Sequence, residues 1–66
     1  MSILTKREKE VFEYLILNYS TSYIAILMNI SEKTVRNHVS NVIQKLGVNN
    51  RTQAIVELLK IKEISL

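Results

Sequence analysis

The stretch ISEKTVRNHVSN, residues 30–41, decides the fold because it contains a helix start, an apolar stripe and a polar face. Ser31 is a good N-cap residue, and Gly47, the only glycine of the chain, stands where a left-handed residue would end a helix. The stretch therefore predicts a helix from residue 32 to about residue 46. With about 100° per residue, the apolar side chains fall on one side of that helix. They are Val35, Val39, Val42 and Leu46, with Ile43 beside them.

The opposite side of this helix is polar and lacks a carboxylate. Its members are Lys33, Arg36, Asn37, Ser40 and Gln44. Arginine can form two hydrogen bonds with the O6 and N7 atoms of guanine, and asparagine can do the same with N6 and N7 of adenine. A polar helix face is most often only a solvated surface, but the stretch 33–51 contains four cations and no acid, which favours a polyanionic partner. We predict base contacts from Lys33, Arg36, Asn37 and Ser40.

The segment before this helix predicts two more helices. TKRE, residues 5–8, is a capping box in which Thr5 and Glu8 bond each other's backbone. The apolar face of the first helix is Val11, Phe12, Leu15 and Ile16. Ser20 or Thr21 caps a shorter second helix. Its predicted apolar face is Ile24, Ala25, Leu27 and Met28. Because only a short break separates the second helix from the third, the two fit a helix-turn-helix.

A fourth helix is predicted from Asn50 to about Lys62, with NRTQ as a second capping box in which Gln53 reaches back. This helix is apolar on two sides. Ala54, Leu58 and Ile61, flanked by Ile55, are predicted to face the core. Thr52, Val56, Leu59 and Glu63 are predicted to form a dimer interface on the opposite side. The alternative is that Val56 and Leu59 are scattered surface hydrophobes, which are normal.

Composition narrows the function classes. The 66 residues are expected to form one domain, 1–66, with no cysteine and no aspartate, so neither a disulfide framework nor a metal site is predicted. No nucleophile–base pair or glycine-rich phosphate loop is present, which argues against an enzyme. The single histidine, His38, lies at the edge of the apolar stripe and is predicted to be a packed side chain. No membrane span or targeting segment is recognisable, which predicts a cytoplasmic protein.

Several motifs together resemble the LuxR/GerE-type DNA-binding domain. They are LTKREKEV (4–11), IA (24–25), ISEKTVRNH (30–38), KLGV (45–48) and R-x-x-A (51–54). Their order and spacing match the family over nearly the whole chain. The resemblance implies an all-α fold: a compact four-helix DNA-binding domain with a central helix-turn-helix, dimerising through the C-terminal helix. SEKTVRNH followed by SN is similar to family members that act in sporulation.

The resemblance also assigns roles to positions. It implies base contacts from Arg36, Asn37 and Ser40. Together with the capped helix starts and the far end of the polar face, it gives a predicted phosphate-contacting set: Ser20, Thr21, Tyr23, Thr34, Gln44, Lys45 and Arg51. Two positions depart from the family pattern. Tyr19 stands where the family commonly has Gly, and Tyr23 stands where it usually has Glu, which weakens the capping box of the second helix.

The predicted function is that of a stand-alone, sequence-specific transcriptional regulator, an activator that can also repress, located on the nucleoid. Expected partners are double-stranded DNA, a second copy of the chain and RNA polymerase, with no membrane, small-molecule ligand or cofactor. Because Met1 lies close to the first cap, we expect no receiver domain ahead and an activity set by protein amount. Two alternatives remain open: a promoter-reading domain of a sigma factor, and a basic helical protein-interaction module.

Overall fold

The computed structural model describes residues 3–66, and four α-helices account for most of that range. They are α1 (Lys6–Leu15), α2 (Thr21–Met28), α3 (Glu32–Leu46) and α4 (Arg51–Lys60). No β-strand occurs in this described part of the chain. The structure confirms the predicted all-α, four-helix fold, and the bounds of α3 are those predicted. At 15 residues α3 is the longest helix, and none of the four has the length and apolar character that a membrane-crossing helix needs.

The first three helices begin at side chains that supply a missing backbone acceptor. Thr5 Oγ1 accepts a hydrogen bond from the Glu8 N–H (3.1 Å) and Glu8 Oε1 accepts one from the Thr5 N–H (2.9 Å), so the predicted capping box is present. Ser20, rather than Thr21, caps α2. Ser31 caps α3 as predicted. Because the first N–H groups of a helix have no intrahelical acceptor, these contacts fix where each helix begins.

The start of α4 differs from the prediction in one contact. Asn50 Oδ1 accepts a hydrogen bond from the Gln53 N–H at 2.9 Å, as a capping box requires. However, Gln53 Oε1 accepts from the N–H of Asn49 rather than from that of Asn50 (2.9 Å). The glutamine side chain thus reaches one residue further back. The cap still holds two backbone N–H groups, so α4 begins where the sequence predicts.

The core lies between the four helices, and α3 is its centre because it packs against each of the other three. The side chains without accessible surface come from all four helices. They are Val11, Phe12, Ile24, Val35, Val42, Ala54 and Leu58. The predicted inward stripe of α3 is confirmed at its three valines, since Val39 is buried as well. Leu46 and Ile43 are half-buried and pack against the core. With its apolar side packed on three neighbours, α3 can offer only its polar side to another molecule.

Two residues predicted to face the core do not. Leu27 is 43% exposed on α2, and Ile61 is 47% exposed at the end of α4. The reason at Ile61 is that α4 ends at Lys60, two residues earlier than predicted. The chain then turns through Lys62 in a left-handed conformation (φ 61°). That turn carries Ile64, which is only 3% exposed, back into the core in place of Ile61.

Candidate nucleic-acid interface

The polar face of α3 is a continuous exposed surface over a buried stripe. Its five predicted members are all exposed: Lys33, Arg36, Asn37, Ser40 and Gln44. His38 lies beside this face and is half-buried, in keeping with its predicted place at the edge of the stripe. A rigid helix presents these donors because Val35 and Val39 are locked in the core beneath them. Arginine, lysine and asparagine on one accessible helix face suit the edges of bases in a major groove.

A carboxylate borders this face, contrary to the prediction of a carboxylate-free side. Glu32, in the first turn of α3, accepts a hydrogen bond from the Arg36 guanidinium, with 2.7 Å between Oε2 and Nη2. The same Oε2 atom accepts from the Thr21 hydroxyl at 2.8 Å. Exposed pairs of this i,i+4 kind contribute only about 0.5 kcal/mol to stability. The pair therefore adds little to stability, and in this structure the guanidinium lies against Glu32.

The starts of α2 and α3 lie at the same end of the molecule, since the Thr21–Glu32 bond joins their first turns. Ser20 Oγ accepts from the Tyr23 N–H (3.1 Å) and Ser31 Oγ from the Thr34 N–H (3.0 Å). Each cap leaves further first-turn N–H groups without an intrahelical acceptor. Such groups, with the helix dipole, bind phosphate well.

A row of three tyrosines joins the end of α1 to the start of α2. The rings of Tyr14 and Tyr19 are stacked with centroids 5.8 Å apart. Tyr23 meets Tyr19 edge-on at 5.1 Å. Aromatic pairs in these arrangements stabilise beyond their buried area. The two tyrosines that depart from the family pattern thus have a structural role, while a phosphate contact of Tyr23 stays a prediction.

The ammonium of Lys45 is directed toward the protein. Its Nζ donates to Glu8 Oε1 at 2.5 Å and to the Ile3 carbonyl oxygen at 3.4 Å. Glu8 is only 3% exposed. Burial alone would raise the pKa of this carboxyl, but the hydrogen bond from Lys45, the Thr5 N–H and the charge of Lys45 outweigh it, so the pKa of Glu8 lies below its usual value. A phosphate contact of Lys45 stays a prediction, and it would share the ammonium with Glu8.

The predicted second face of α4 is partly present. Thr52 and Val56 are exposed, Val56 at 50%. Leu59 is half-buried and packs against the core. Glu63 lies beyond the end of the helix, and its Oε1 accepts from the Ile3 N–H at 2.9 Å, so it is not part of a helical stripe. Arg51 is exposed at the first position of α4.

The sequence profile of the luxR family of bacterial regulatory proteins, labelled GerE, matches residues 2–58. This chain belongs to that family. The spore germination protein GerE of Bacillus subtilis (strain 168) is 59% identical over 64 residues, covering 97% of this chain and 86% of GerE. A solved structure of the transcription factor GerE superposes with a TM-score of 0.96 at 60% identity, over 98% of this chain and 97% of that one.

A longer relative carries the same region as one part of its chain. The transcriptional regulatory protein DegU of Brevibacillus brevis is 53% identical over 60 residues, which are 91% of this chain but 25% of DegU. This LuxR-family chain is a DNA-binding transcriptional regulator. The family consists of regulatory proteins, which are not enzymes. The relatives favour this function over the sigma-factor and protein-module alternatives.

The sequence prediction missed two contacts of this site: that of Lys45 with Glu8, and that of Glu32 with Arg36 and Thr21. The signal for the Glu32 contact was available in part, because Glu32 and Arg36 stand four residues apart and such pairs meet on a helix. The Thr21 contact bridges two helices, so no local spacing predicts it. Among the described residues, no three His, Cys, Asp or Glu side chains come together as metal ligands would.

Proposed function

We propose that this LuxR-family chain regulates transcription by placing α3 in the major groove of promoter DNA. The observation that carries the proposal is the exposed row of Lys33, Arg36, Asn37 and Ser40 on a helix whose other side packs against the core. Recognition helices read base edges with their N-terminal turns. Three of these four residues lie within the first six positions of α3.

Phosphate contacts would position α3 on the duplex. The proposed set surrounds the recognition face at the starts of α2 and α4 and at the far end of α3: Ser20, Thr21, Tyr23, Thr34, Gln44, Lys45 and Arg51. Contacts of this kind fix register and carry no sequence information by themselves. Gln44 and Arg51 are exposed and suited to this role. Lys45 would have to share an ammonium that is already engaged with Glu8. The Thr21 hydroxyl donates its proton to Glu32, so Thr21 would contact phosphate through its first-turn backbone N–H.

The working unit in this proposal is a two-fold dimer formed through α4, with Thr52, Val56 and Leu59 in the interface and Glu63 at its margin. Val56 supports it, because a half-exposed aliphatic residue on the outer side of a helix gains from being covered. A two-fold dimer would read half-sites about 10 bp apart, or a multiple of that.

The similarity to a spore germination protein supports a role in spore-related gene expression. We further propose RNA polymerase as the partner and the cytoplasm as the location.

Selection of bound duplexes from a random library at near-physiological salt, read by sequencing, tests this function. Enrichment of an inverted repeat with regular spacing is the expected result. Enrichment of a single half-site would keep recognition and remove the dimer. No enrichment, together with binding that disappears as salt rises, would contradict sequence-specific recognition, because phosphate contacts alone give salt-dependent affinity without sequence preference.

Arg36→Ala is the sharpest single test of base recognition. We expect it to lower affinity by about 1–3 kcal/mol and to relax preference at one base position of the selected operator. Arg51→Ala is the matched control, since it removes the same charge away from the recognition face and should weaken binding equally on every sequence. The measurement is a set of operators that differ at one base pair each. Uniform weakening by Arg36→Ala would assign Arg36 to a phosphate.

A further inference from the structure

We propose that Glu32 is a specificity-determining positioning residue, which holds the Arg36 guanidinium toward one base and couples it to α2 through Thr21. The inference rests on the proposed reading of a base by Arg36. It adds that the selectivity of Arg36 depends on a carboxylate that does not touch the base itself. It also gives Thr21 a role other than the phosphate contact predicted from sequence.

The geometry supporting this role is the convergence of two donors on one oxygen. Glu32 Oε2 accepts from Thr21 Oγ1 at 2.8 Å and from Arg36 Nη2 at 2.7 Å. The first donor belongs to α2 and the second to α3. A carboxylate at this first-turn position is also favoured by the helix dipole. Glu32 is thus restrained from two sides, and it can in turn restrain a long side chain.

The bond to Glu32 leaves Arg36 able to read a base. A guanidinium has five N–H donors, and this bond uses one of those on Nη2. Enough donors remain for a bidentate contact with guanine. The side chain of Arg36 is 65% exposed, so without Glu32 it would sample many rotamers and could reach neighbouring bases or phosphates. Restraint of this kind raises selectivity by reducing the number of alternative contacts.

The charge of Glu32 acts in the same direction. A carboxylate beside the recognition face repels phosphate oxygens, so it disfavours duplexes on which Arg36 finds no matching base. The Thr21 hydroxyl has a single proton, and it donates that proton in the hydrogen bond to Glu32. In this arrangement Thr21 reaches phosphate only with its first-turn backbone N–H, which a side-chain substitution leaves in place.

The test measures binding of variants of the 66-residue chain to the selected operator, to its single-base variants and to unrelated duplex. Glu32→Gln removes the charge and should reduce the preference at the Arg36 position by about twofold, the fold-change that an exposed i,i+4 ion pair can supply. Binding to unrelated duplex should become tighter. In an Arg36→Ala background, Glu32→Gln should leave the base preferences unchanged, because the residue that it positions is gone.

Thr21 provides a second variant that leaves α3 and the net charge unaltered. Thr21→Val removes the hydroxyl at nearly constant shape and should reduce the same base preference by about twofold, in line with one exposed contact. Thr21→Ser is the matched control and should retain the wild-type preference. Thermal unfolding of each variant checks that the fold is intact.

The opposite outcomes are distinct. An unchanged or increased preference in Glu32→Gln would overturn the positioning role, since Glu32 would then be only structural or a competitor for Arg36. Equal weakening of every duplex by Thr21→Val would assign the hydroxyl to phosphate and remove Thr21 from the network. If Arg36→Ala itself weakens every duplex equally, the proposed base contact fails, and the inference fails with it.

Discussion

At the residue scale, left-handed conformations follow each helix and decide how sharply the chain turns. Asn18 after α1, Asn29 at the end of α2 and Gly47 at the end of α3 have φ values of 67°, 56° and 67°. Glycine and asparagine are the residues that adopt this region most readily. Lys62 after α4 has φ 61°, and its side chain gives no such advantage. The first three turns are therefore specified by residue type, whereas the last depends on the burial of Ile64.

Gly47→Ala isolates the backbone cost of such a turn. A Cβ at Gly47 would have no neighbour within 4 Å, so the substitution adds strain but no clash. We expect a loss of about 1 kcal/mol in the free energy of unfolding, measured by urea denaturation. Gly47→Asn is the control and should lose less, because asparagine tolerates this conformation. Equal losses in both variants would show that something other than the left-handed backbone is being measured.

Residue roles in the site were less predictable than helix positions. The exposed side of α3 follows from helical periodicity, since Val35 and Val39 must face inward. Helical periodicity does not predict the partner of Arg36. Glu32 comes one residue before the acid-free stretch 33–51, so it was not counted with the polar face. The inward direction of Lys45 is set by Glu8, thirty-seven positions earlier. Contacts at such separation depend on how helices pack, which spacing along one helix does not report.

At the element scale, the starts of helices were predicted well because caps are local. Ser31 and Asn50 each bond a backbone N–H three residues ahead, so the signal lies within one turn. The end of α4 was predicted two residues late, since it is fixed by the return of Ile64 to the core. Leu27 was misplaced for a related reason: on a helix as short and apolar as α2, the sequence does not reveal which side the neighbours cover.

The prediction that the chain forms a dimer depends on the outer side of α4. Val56→Glu places a charge at the centre of the proposed interface, and we expect a folded monomer with weaker operator binding, because an unpaired charge is costly to bury. Val56 is the better position than Leu59, which also packs against the core, so a change at Leu59 would lower stability as well. Sedimentation at several protein concentrations is the measurement.

Ile61→Glu is the matched control for the dimer experiment. Ile61 is exposed to nearly the same extent as Val56, 47% against 50%. It lies at the end of α4, on a different side of the helix. We expect this variant to keep the oligomeric state and operator affinity of the original chain. A dimer that persists in Val56→Glu would exclude the second face of α4 as the interface. Loss of the dimer in both variants would move the interface toward the end of the helix.

At the scale of the whole molecule, a polar cluster ties both ends of the described chain to α3. Lys45 donates to Glu8 on α1 and to the Ile3 carbonyl oxygen. The Ile3 N–H in turn donates to Glu63, beyond α4. Residues far apart in sequence thus meet around the end of α3 that lies away from Ser31. The core packing between α1 and α3 and the Lys45–Glu8 contact of this cluster together hold the two helices against each other.

This cluster predicts how stability depends on pH. The pKa of Glu8 is lowered in the folded protein, so the folded state holds the ionised form more strongly than the unfolded state does. The contribution is fully present above the usual carboxyl pKa and is lost as pH falls through the lowered value. We expect Glu8→Gln to lower the free energy of unfolding at neutral pH by roughly 1.5–3 kcal/mol, the range for hydrogen bonds to charged groups. The difference from the original chain should shrink in acid.

Glu13→Gln, exposed on the same helix, is the control and should show little loss at any pH. Urea denaturation of the three proteins at a series of pH values makes the comparison, and a Glu8→Gln deficit that persists unchanged into acid would show that packing, rather than the ionised pair with Lys45, stabilises this end of the molecule.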